Sequence, residues 1–352
     1  MVKFAISALI SACVMLAPVS DTSAAERKRA APTKKFKKTS KQQALMSTSV
    51  GSGQKIVRRV ITVKGKRRVV YTNVPLRPVA RALTAGDLSG LNLTRDPLDL
   101  ASSVAFVLDE SSSEVLFEKN ANVALPIASI TKLMTGYVVV KAGQDLDEIL
   151  TITEEDVDKV KHTGSRLKVG TRLSRRTMLN LALMSSENRA ASALGRHYPG
   201  GIRAFVEAMN DTADRLGMKD TYYVDSSGLS ARNVASARDL AKLVTVASHE
   251  PILREYSTTT RQTFNVGGRN MQFGSTNYLV SLPDWNIGLQ KTGFINEAGK
   301  CLVMQAVVAG RNVVMVFLDS KGRSARTADA GRMRKWLEAV RPSPAMATFG
   351  QH

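Results

Sequence analysis

Histidine and cysteine are scarce in this chain. Its 352 residues hold four His and two Cys, too few for a disulfide framework or a dense zinc cluster. No internal apolar run reaches the roughly 18 residues of a membrane span, and no Gly-x-Ser-x-Gly elbow is present. Acids are nearly missing from one stretch. Between Glu26 and Arg81 a single acid stands against seventeen Lys and Arg, although the whole chain has 30 acids against 50 bases, a formal +20. These shortages argue against disulfide-stapled, multi-span, zinc-cluster and Ser-His-Asp hydrolase classes. Hydrophobic residues at 43% suffice for a real core, and the length fits one large domain with extras, or two.

The first 25 residues read as an export signal. Lys3 is the positive start, Phe4 to Pro18 the apolar run, and Asp21-Thr22-Ser23-Ala24-Ala25 a small-residue cleavage site. Ile10-Ser11-Ala12-Cys13 offers a lipoprotein box as the alternative, but the apolar stretch before Cys13 is short for one. Either way the expected location is outside the cytoplasm, in the periplasm. Residues 26–97 form a basic arm. Arg27 to Lys41 is low in complexity and expected to be disordered, because it cannot bury enough apolar surface to offset chain entropy. Ile56 to Tyr71, turning at Lys64-Gly65-Lys66, predicts a basic β-hairpin. Such an arm suits electrostatic attachment to anionic envelope polymers or serves as a solvated spacer. Nucleic acid is not expected as a partner of an exported chain.

Residues 98–342 read as one folded domain, with 343–352 a tail. Ala101–Leu108 and Glu114–Glu118 predict a strand pair around Asp109-Glu110-Ser111-Ser112-Ser113. Helical periodicity covers Ser129–Lys141, Arg175–Leu183, Ala190–His197, Ile202–Leu216, Ala237–Ala247 and Thr327–Val340. Thr258–Val266 and Asn277–Val280 read as extended, and Ile287–Lys291, Leu302–Ala309 and Val313–Leu318 as strands. Strands at both ends with helices between predict an α+β fold: an antiparallel sheet flanked by helices plus a helical subdomain.

His162, His197, His249 and the terminal His352 are scattered without ligand spacing, so no metal and no cofactor is expected. Cys301 reads as a small buried apolar residue. A serine can instead be activated by a lysine one helical turn away. Ser129-Ile130-Thr131-Lys132 and Ser165-Arg166-Leu167-Lys168 both fit. Ser129 opens an apolar helix, where free N–H groups favour an oxyanion; Ser165 lies in a polar, Gly-flanked stretch and is set aside. An ordinary lysine titrates near 10.4, so Lys132 must be buried or placed beside another cation to serve as a base. Lys291-Thr292-Gly293, at the end of a strand, supplies such a cation. Ser186-Glu187-Asn188, between two helices, supplies a hydroxyl and an amide. Ser275-Thr276-Asn277 reads as a turn.

Ser-x-x-Lys, Ser-x-Asn and Lys-Thr-Gly occur in that order, at 129, 186 and 291. In this the chain resembles the penicillin-recognising serine acyl-transferases, which include penicillin-binding proteins and serine β-lactamases. The runs Pro126–Thr135, Met184–Ala191, Asp225-Ser226-Ser227-Gly228-Leu229-Ser230 and Gln290–Phe294 are similar to those of the low-molecular-mass D-alanyl-D-alanine peptidases. The likeness is strongest to the short endopeptidase type represented by penicillin-binding protein seven, and it covers Leu98 to Val340. It implies that Ser129 attacks the penultimate D-alanine carbonyl and forms an acyl-enzyme, with Lys132 taking its proton. It implies that Ser186 and Asn188 relay protons and bind peptide, and that Lys291, Thr292 and Gly293 bind the substrate end. The N–H groups of Ser129 and Phe294 would form the oxyanion hole. Glu187 stands where many relatives carry Gly; it either steers an amine-bearing cross-link or faces solvent.

Three activities compete within that family. A β-lactamase needs an added carboxylate base, for which Glu154 and Glu155 are the candidates. A larger carboxypeptidase carries a second, β-rich domain and an amphipathic C-terminal anchor, for which the segment after Gly293 leaves little room. The expectation is therefore an endopeptidase that cuts peptidoglycan cross-links between D-alanine and meso-diaminopimelate and is inhibited by β-lactams, with trimming of stem peptides as an accompanying carboxypeptidase activity. A catalytically silent wall-binding protein is the reading from another class.

Overall fold

The computed structural model describes residues 54–63, 66–75, 82–322 and 324–340. The expected signal, the low-complexity part of the arm and the tail lie outside the described residues. The chain divides into two compact units, Met1–Pro78 and Val79–His352. In the first, β1 (Gln54–Val63) and β2 (Lys66–Pro75) pair antiparallel from Val63↔Lys66 to Gln54↔Pro75, so the ribbon outruns the expected Ile56–Tyr71 span at both ends.

The second unit opens with α1 (Ala85–Leu88), closed by a reciprocal Thr84–Asp87 capping box. It belongs to the folded body ahead of Leu98: the Ala85 N–H donates to the Glu297 carbonyl at 2.8 Å, and Lys321 pairs with Asp87. The chain continues through β3 (Ser102–Asp109), β4 (Val115–Lys119), β5 (Leu125–Pro126), α2 (Thr131–Lys141), β6 (Ile149–Thr151), β7 (Arg172–Ser174) and α3 (Arg175–Met184). Then come α4 (Asn188–Arg196), α5 (Gly201–Arg215), β8 (Val234–Ala235), α6 (Ala237–Ser248), α7 (Pro251–Thr258), β9 (Arg261–Val266) and β10 (Arg269–Gly274). Three long strands, β11 (Asn286–Ile295), β12 (Gly299–Val308) and β13 (Arg311–Ser320), lead to α8 (Ala325–Val340).

One five-stranded antiparallel sheet, ordered β11-β12-β13-β3-β4, organises the body. Its central strands are largely apolar because both faces are covered. Along β13, Val314, Val316 and Leu318 face one core, which they share with Leu240, Val244 and Ala247 of α6. Val313, Met315 and Phe317 face the other, which Ala330, Met333 and Leu337 of α8 close. This is the two-residue period of a strand meeting a helical stripe on each side. The α+β expectation of a helix-flanked antiparallel sheet is met. Inside the larger core sits α2, buried all round from Thr131 to Val139 and touched by α3, α4, α5, α6 and α7.

One helix was not read from the sequence, and one local reading is corrected. Pro251–Thr258 is a helix, entered by Pro251 in its first turn, where the missing N–H costs nothing; its short length and Thr-rich end hid it. Asn277–Val280 is not extended. A 3-10 turn, Tyr278–Ser281, forms there, capped by the Asn277 side chain accepting from the Leu279 N–H.

Asp329 of α8, fully buried, accepts from the Ala101 and Ser102 N–H groups at 3.1 and 2.8 Å and from the Ser102 hydroxyl. Removing it strands buried donors, each worth about 1–3 kcal/mol. Asp329→Ala is therefore expected to lower stability by about 3 kcal/mol, read as a lower urea midpoint at unchanged m-value.

Candidate active site

Ser129 lies not in the helix proper but on a 3-10 turn, Ala128–Ile130, that feeds α2. The turn is tight enough to put Ala128 at φ +49°, in the left-handed region. Lys132 follows one turn later with no exposed surface, and its Nζ lies 2.9 Å from Ser129 Oγ. Nζ also meets Asn188 Oδ1 at 2.8 Å and the Ser227 carbonyl at 2.5 Å. Both of these are acceptors only. A neutral amine has two N–H groups and one lone pair. Asn188 and Ser227 take the two hydrogens, which leaves the lone pair for the Ser129 hydroxyl proton.

The Ser227 carbonyl is aimed by a turn built on Asp225, whose carboxylate accepts the N–H groups of Ser227, Gly228 and Ser230 at 2.7, 2.5 and 2.9 Å. Gly228 has φ +80°, and a Cβ there would stand 1.9 Å from the Ala128 carbonyl oxygen. Only glycine lets this turn press against the Ser129 turn. Asn233 ties the two together, donating to Thr131 Oγ1 and to the Asp225 carbonyl.

Ser186 occupies the turn between α3 and α4 at φ +61°, an unusual region for a residue with a Cβ. Its hydroxyl accepts from Lys291 Nζ at 2.9 Å. Lys291 is fully buried and Thr292 nearly so. They stand on the edge strand β11, which runs so close to the Ser129 turn that a Cβ on Gly293 would lie 2.7 Å from the Ile127 carbonyl oxygen and 3.2 Å from Ser129 N. From α8, Arg326 donates to the Gly293 carbonyl at 2.8 Å and holds the strand from behind. Phe294 is half exposed beside it. Hydrogen bonds join Lys132 to Ser129 and Asn188 and, as a second set, Lys291 to Ser186, with Thr292, Gly293 and Phe294 on the adjoining edge.

Burial pulls Lys132 down from 10.5 to about 7, against the opposing pull of Asp225, Glu187 and Asp158. Lys291 is held well below its ordinary value by burial first, then by the charges of Lys132 and Arg326. Of the two routes open to Lys132, burial or a neighbouring cation, burial is the one that lowers it, while the repulsion between the two lysines weighs on Lys291.

Other groups were missed or misread. Glu187 turns inward: it is 8% exposed, accepts from Ser165 Oγ at 2.7 Å and has Arg166 Nε at 3.6 Å. Arg166 stacks on Phe273, 3.6 Å from the ring centre. The second Ser-x-x-Lys thus serves as the brace of the Ser-x-Asn turn. Thr276, dismissed with its turn, shares a 2.5 Å hydrogen bond between its hydroxyl and that of Thr292. Glu154 and Glu155 stand exposed on a 3-10 turn, with Glu155 3.8 Å from Arg196. A cavity of about 250 Å³ opens beside Asn188 and Ser227, lined also by Asp158, Ser192 and Leu229. A larger one, about 780 Å³, lies away from these groups near Phe106 and Arg238.

A serine beside a buried lysine, on a helix packed under the edge of an antiparallel sheet, is the arrangement of the penicillin-recognising serine acyl-transferases. The profile of the S11 peptidase family, described as D-alanyl-D-alanine carboxypeptidase, matches residues 92–322, and the chain belongs to that family. It is 46% identical over 264 residues to the D-alanyl-D-alanine endopeptidase of Pseudomonas aeruginosa, covering 74% of this chain and 84% of that one. It is 42% identical over 278 residues to the D-alanyl-D-alanine endopeptidase of Escherichia coli, covering 78% and 88%. Among solved structures, penicillin-binding protein D2 of Listeria monocytogenes in its cefotaxime-bound form superposes with a TM-score of 0.61 at 29% identity, covering 68% of this chain and 98% of that one.

A base titrating near 7 sets the pH profile. Protonated Lys132 cannot accept the Ser129 proton, so acylation by a penicillin is expected to fall about tenfold per pH unit below 7 and to level off above it. Stopped-flow acylation rates across that range check the sign and the position of the limb.

Proposed function

We propose that the chain is a serine-type D-alanyl-D-alanine endopeptidase that opens peptidoglycan cross-links. The observation that carries this reading is the 2.9 Å approach of Ser129 Oγ to a fully buried Lys132 amine whose two other neighbours leave its lone pair free for that hydroxyl. Ser129 attacks the D-alanyl carbonyl while its proton passes to Lys132. The amide C–N bond breaks as the leaving amine takes a proton from the Lys132–Ser186–Lys291 group. Water then hydrolyses the acyl ester and regenerates the hydroxyl. The N–H groups of Ser129 and Phe294 receive the oxyanion. Asn188 binds the peptide, and Lys291 and Thr292, backed by Gly293, take the carboxylate beyond the scissile bond. The names of the two relatives support cutting at a cross-link. The family's description supports trimming of stem peptides as a second activity, because the bond broken is the same. A β-lactam enters as a D-alanyl-D-alanine mimic and remains as a stable acyl-enzyme. A catalytically silent wall binder requires none of this joined arrangement.

Among the described residues no helix is long and apolar enough to cross a membrane. The signal-like residues 1–25 support export to the periplasm, with lipidation at Cys13 as the alternative. The +16 of Glu26–Arg81 supports attachment to anionic envelope polymers rather than nucleic acid.

Fluorescent penicillin should label the protein covalently and fail on Ser129→Ala. Purified enzyme given cross-linked muropeptide dimers should release monomers. Dimers that only lose a terminal D-alanine would make it a carboxypeptidase, and no labelling would leave a silent binder. Deleting residues 26–81 should keep labelling while weakening retention on isolated envelope at low salt. Retention that ignores both the deletion and the salt would remove the electrostatic role of the arm.

A further inference from the structure

The Lys132 lone pair is free for Ser129 only if Asn188 presents its oxygen, not its NH2, to the amine. The two ends of a carboxamide have the same shape, so packing alone does not choose between them. A chain of hydrogen bonds does. Asn188 Nδ2 donates to Thr163 Oγ1 at 2.9 Å. That hydroxyl gives its one proton to Asp158 Oδ2 at 2.7 Å, which leaves it only lone pairs to offer Asn188. Asp158 is itself held as an acceptor by the N–H groups of Val160, Lys161 and Thr163, at 2.8, 2.9 and 2.8 Å. Burial pushes its pKa up, but these bonds and the Thr163 hydroxyl outweigh burial and bring it down to about 2, so at neutral pH it has no proton to give. Each link dictates the direction of the next.

We propose that Thr163 is a positioning residue: its hydroxyl, with its proton committed to Asp158, locks the Asn188 amide so that Oδ1 rather than Nδ2 faces Lys132. Reversal would turn an N–H onto the Lys132 lone pair and leave the Ser129 hydroxyl without a base. The inference rests on the acyl-enzyme reading above. Thr163 touches neither Ser129 nor Lys132 among the hydrogen bonds described, and it sits exposed on the loop between β6 and β7, a place where substitution rarely unfolds a protein.

The test is penicillin acylation of the full mature chain followed from about pH 5 to about pH 9, for wild type, Thr163→Val and Thr163→Ser. Thr163→Val keeps the shape and loses the hydroxyl. Its plateau rate is expected to fall about tenfold. Its acid limb should move about one unit lower, because Lys132 loses an acceptor that favours its charged form. Thr163→Ser should restore both. The charges facing Lys132 are Asp158 on the same loop, Glu187 before α4, Asp225 on the α5–β8 connection and Lys291 on β11. None is altered, so a moved limb reports the amide and not a lost charge. A valine variant with wild-type rate and limb overturns the lock. So does a slowed variant whose limb stays put, or one that serine fails to rescue. If the valine variant lacks a cooperative melt, Thr163→Ala is read by the same criteria. Absence of acylation in wild type would strike the underlying reading instead.

Discussion

An amine with no exposed surface is the constraint around which this molecule is built. Taking a lysine out of water disfavours its charged form, and the body supplies the burial by surrounding α2 with five helices. The remaining cost is met by hydrogen bonds chosen for direction. Two acceptor-only oxygens occupy the amine's hydrogens and none of its lone pair. An NH2 in either place would donate to that lone pair and make the amine useless as a base. Chemistry here depends less on how close the groups stand than on which of them can donate.

That requirement explains why the site gathers unusual backbone. Ala128 and Ser186 are held in the left-handed region, and Gly228 and Gly293 stand where a side chain would strike the Ser129 turn. Each brings a turn nearer to α2 than regular structure would allow. At Ala128 and Ser186 such conformations cost roughly 1–3 kcal/mol apiece and persist only when the surroundings over-determine them. The surroundings do so from behind: Asp225 and Asn233 fix one turn, Arg326 fixes β11, and Glu187 with Ser165 and Arg166 fixes the third. A five-stranded sheet with apolar layers on both faces gives those braces something rigid to push against.

How much of this was legible in the sequence follows from the range of each interaction. Strands β3, β12 and β13 showed as largely apolar runs because both their faces are buried, and α5 and α6 showed through their helical period. The Ser129–Lys132 pair is a contact within one turn, so spacing alone exposed it. Ser186–Lys291 joins residues from different elements and came only from the order of three motifs. The Ser227 carbonyl could not be read at all, because backbone atoms carry no letter; the Asp-Ser-Ser-Gly turn that aims it was the available signal. Glu187 was misplaced since its partners, Ser165 and Arg166, lie on a loop whose path no local pattern specifies. The same ignorance of loop paths hid Thr276 beside Thr292.

The two lysines then divide the work by their surroundings. Both are buried, and the charge of Lys132 adds to the burial that holds Lys291 well below its ordinary value. Lys291 sits between the Ser186 hydroxyl and the Thr292 carbonyl, acceptors that favour the ammonium, and it stands on the strand edge where a substrate carboxylate would add a counter-charge. A carboxylate bound there would oppose the burial that lowers Lys291 and favour its ammonium. On the proposed reading, a peptide lacking that carboxylate loses a counter-charge as well as an anchoring contact.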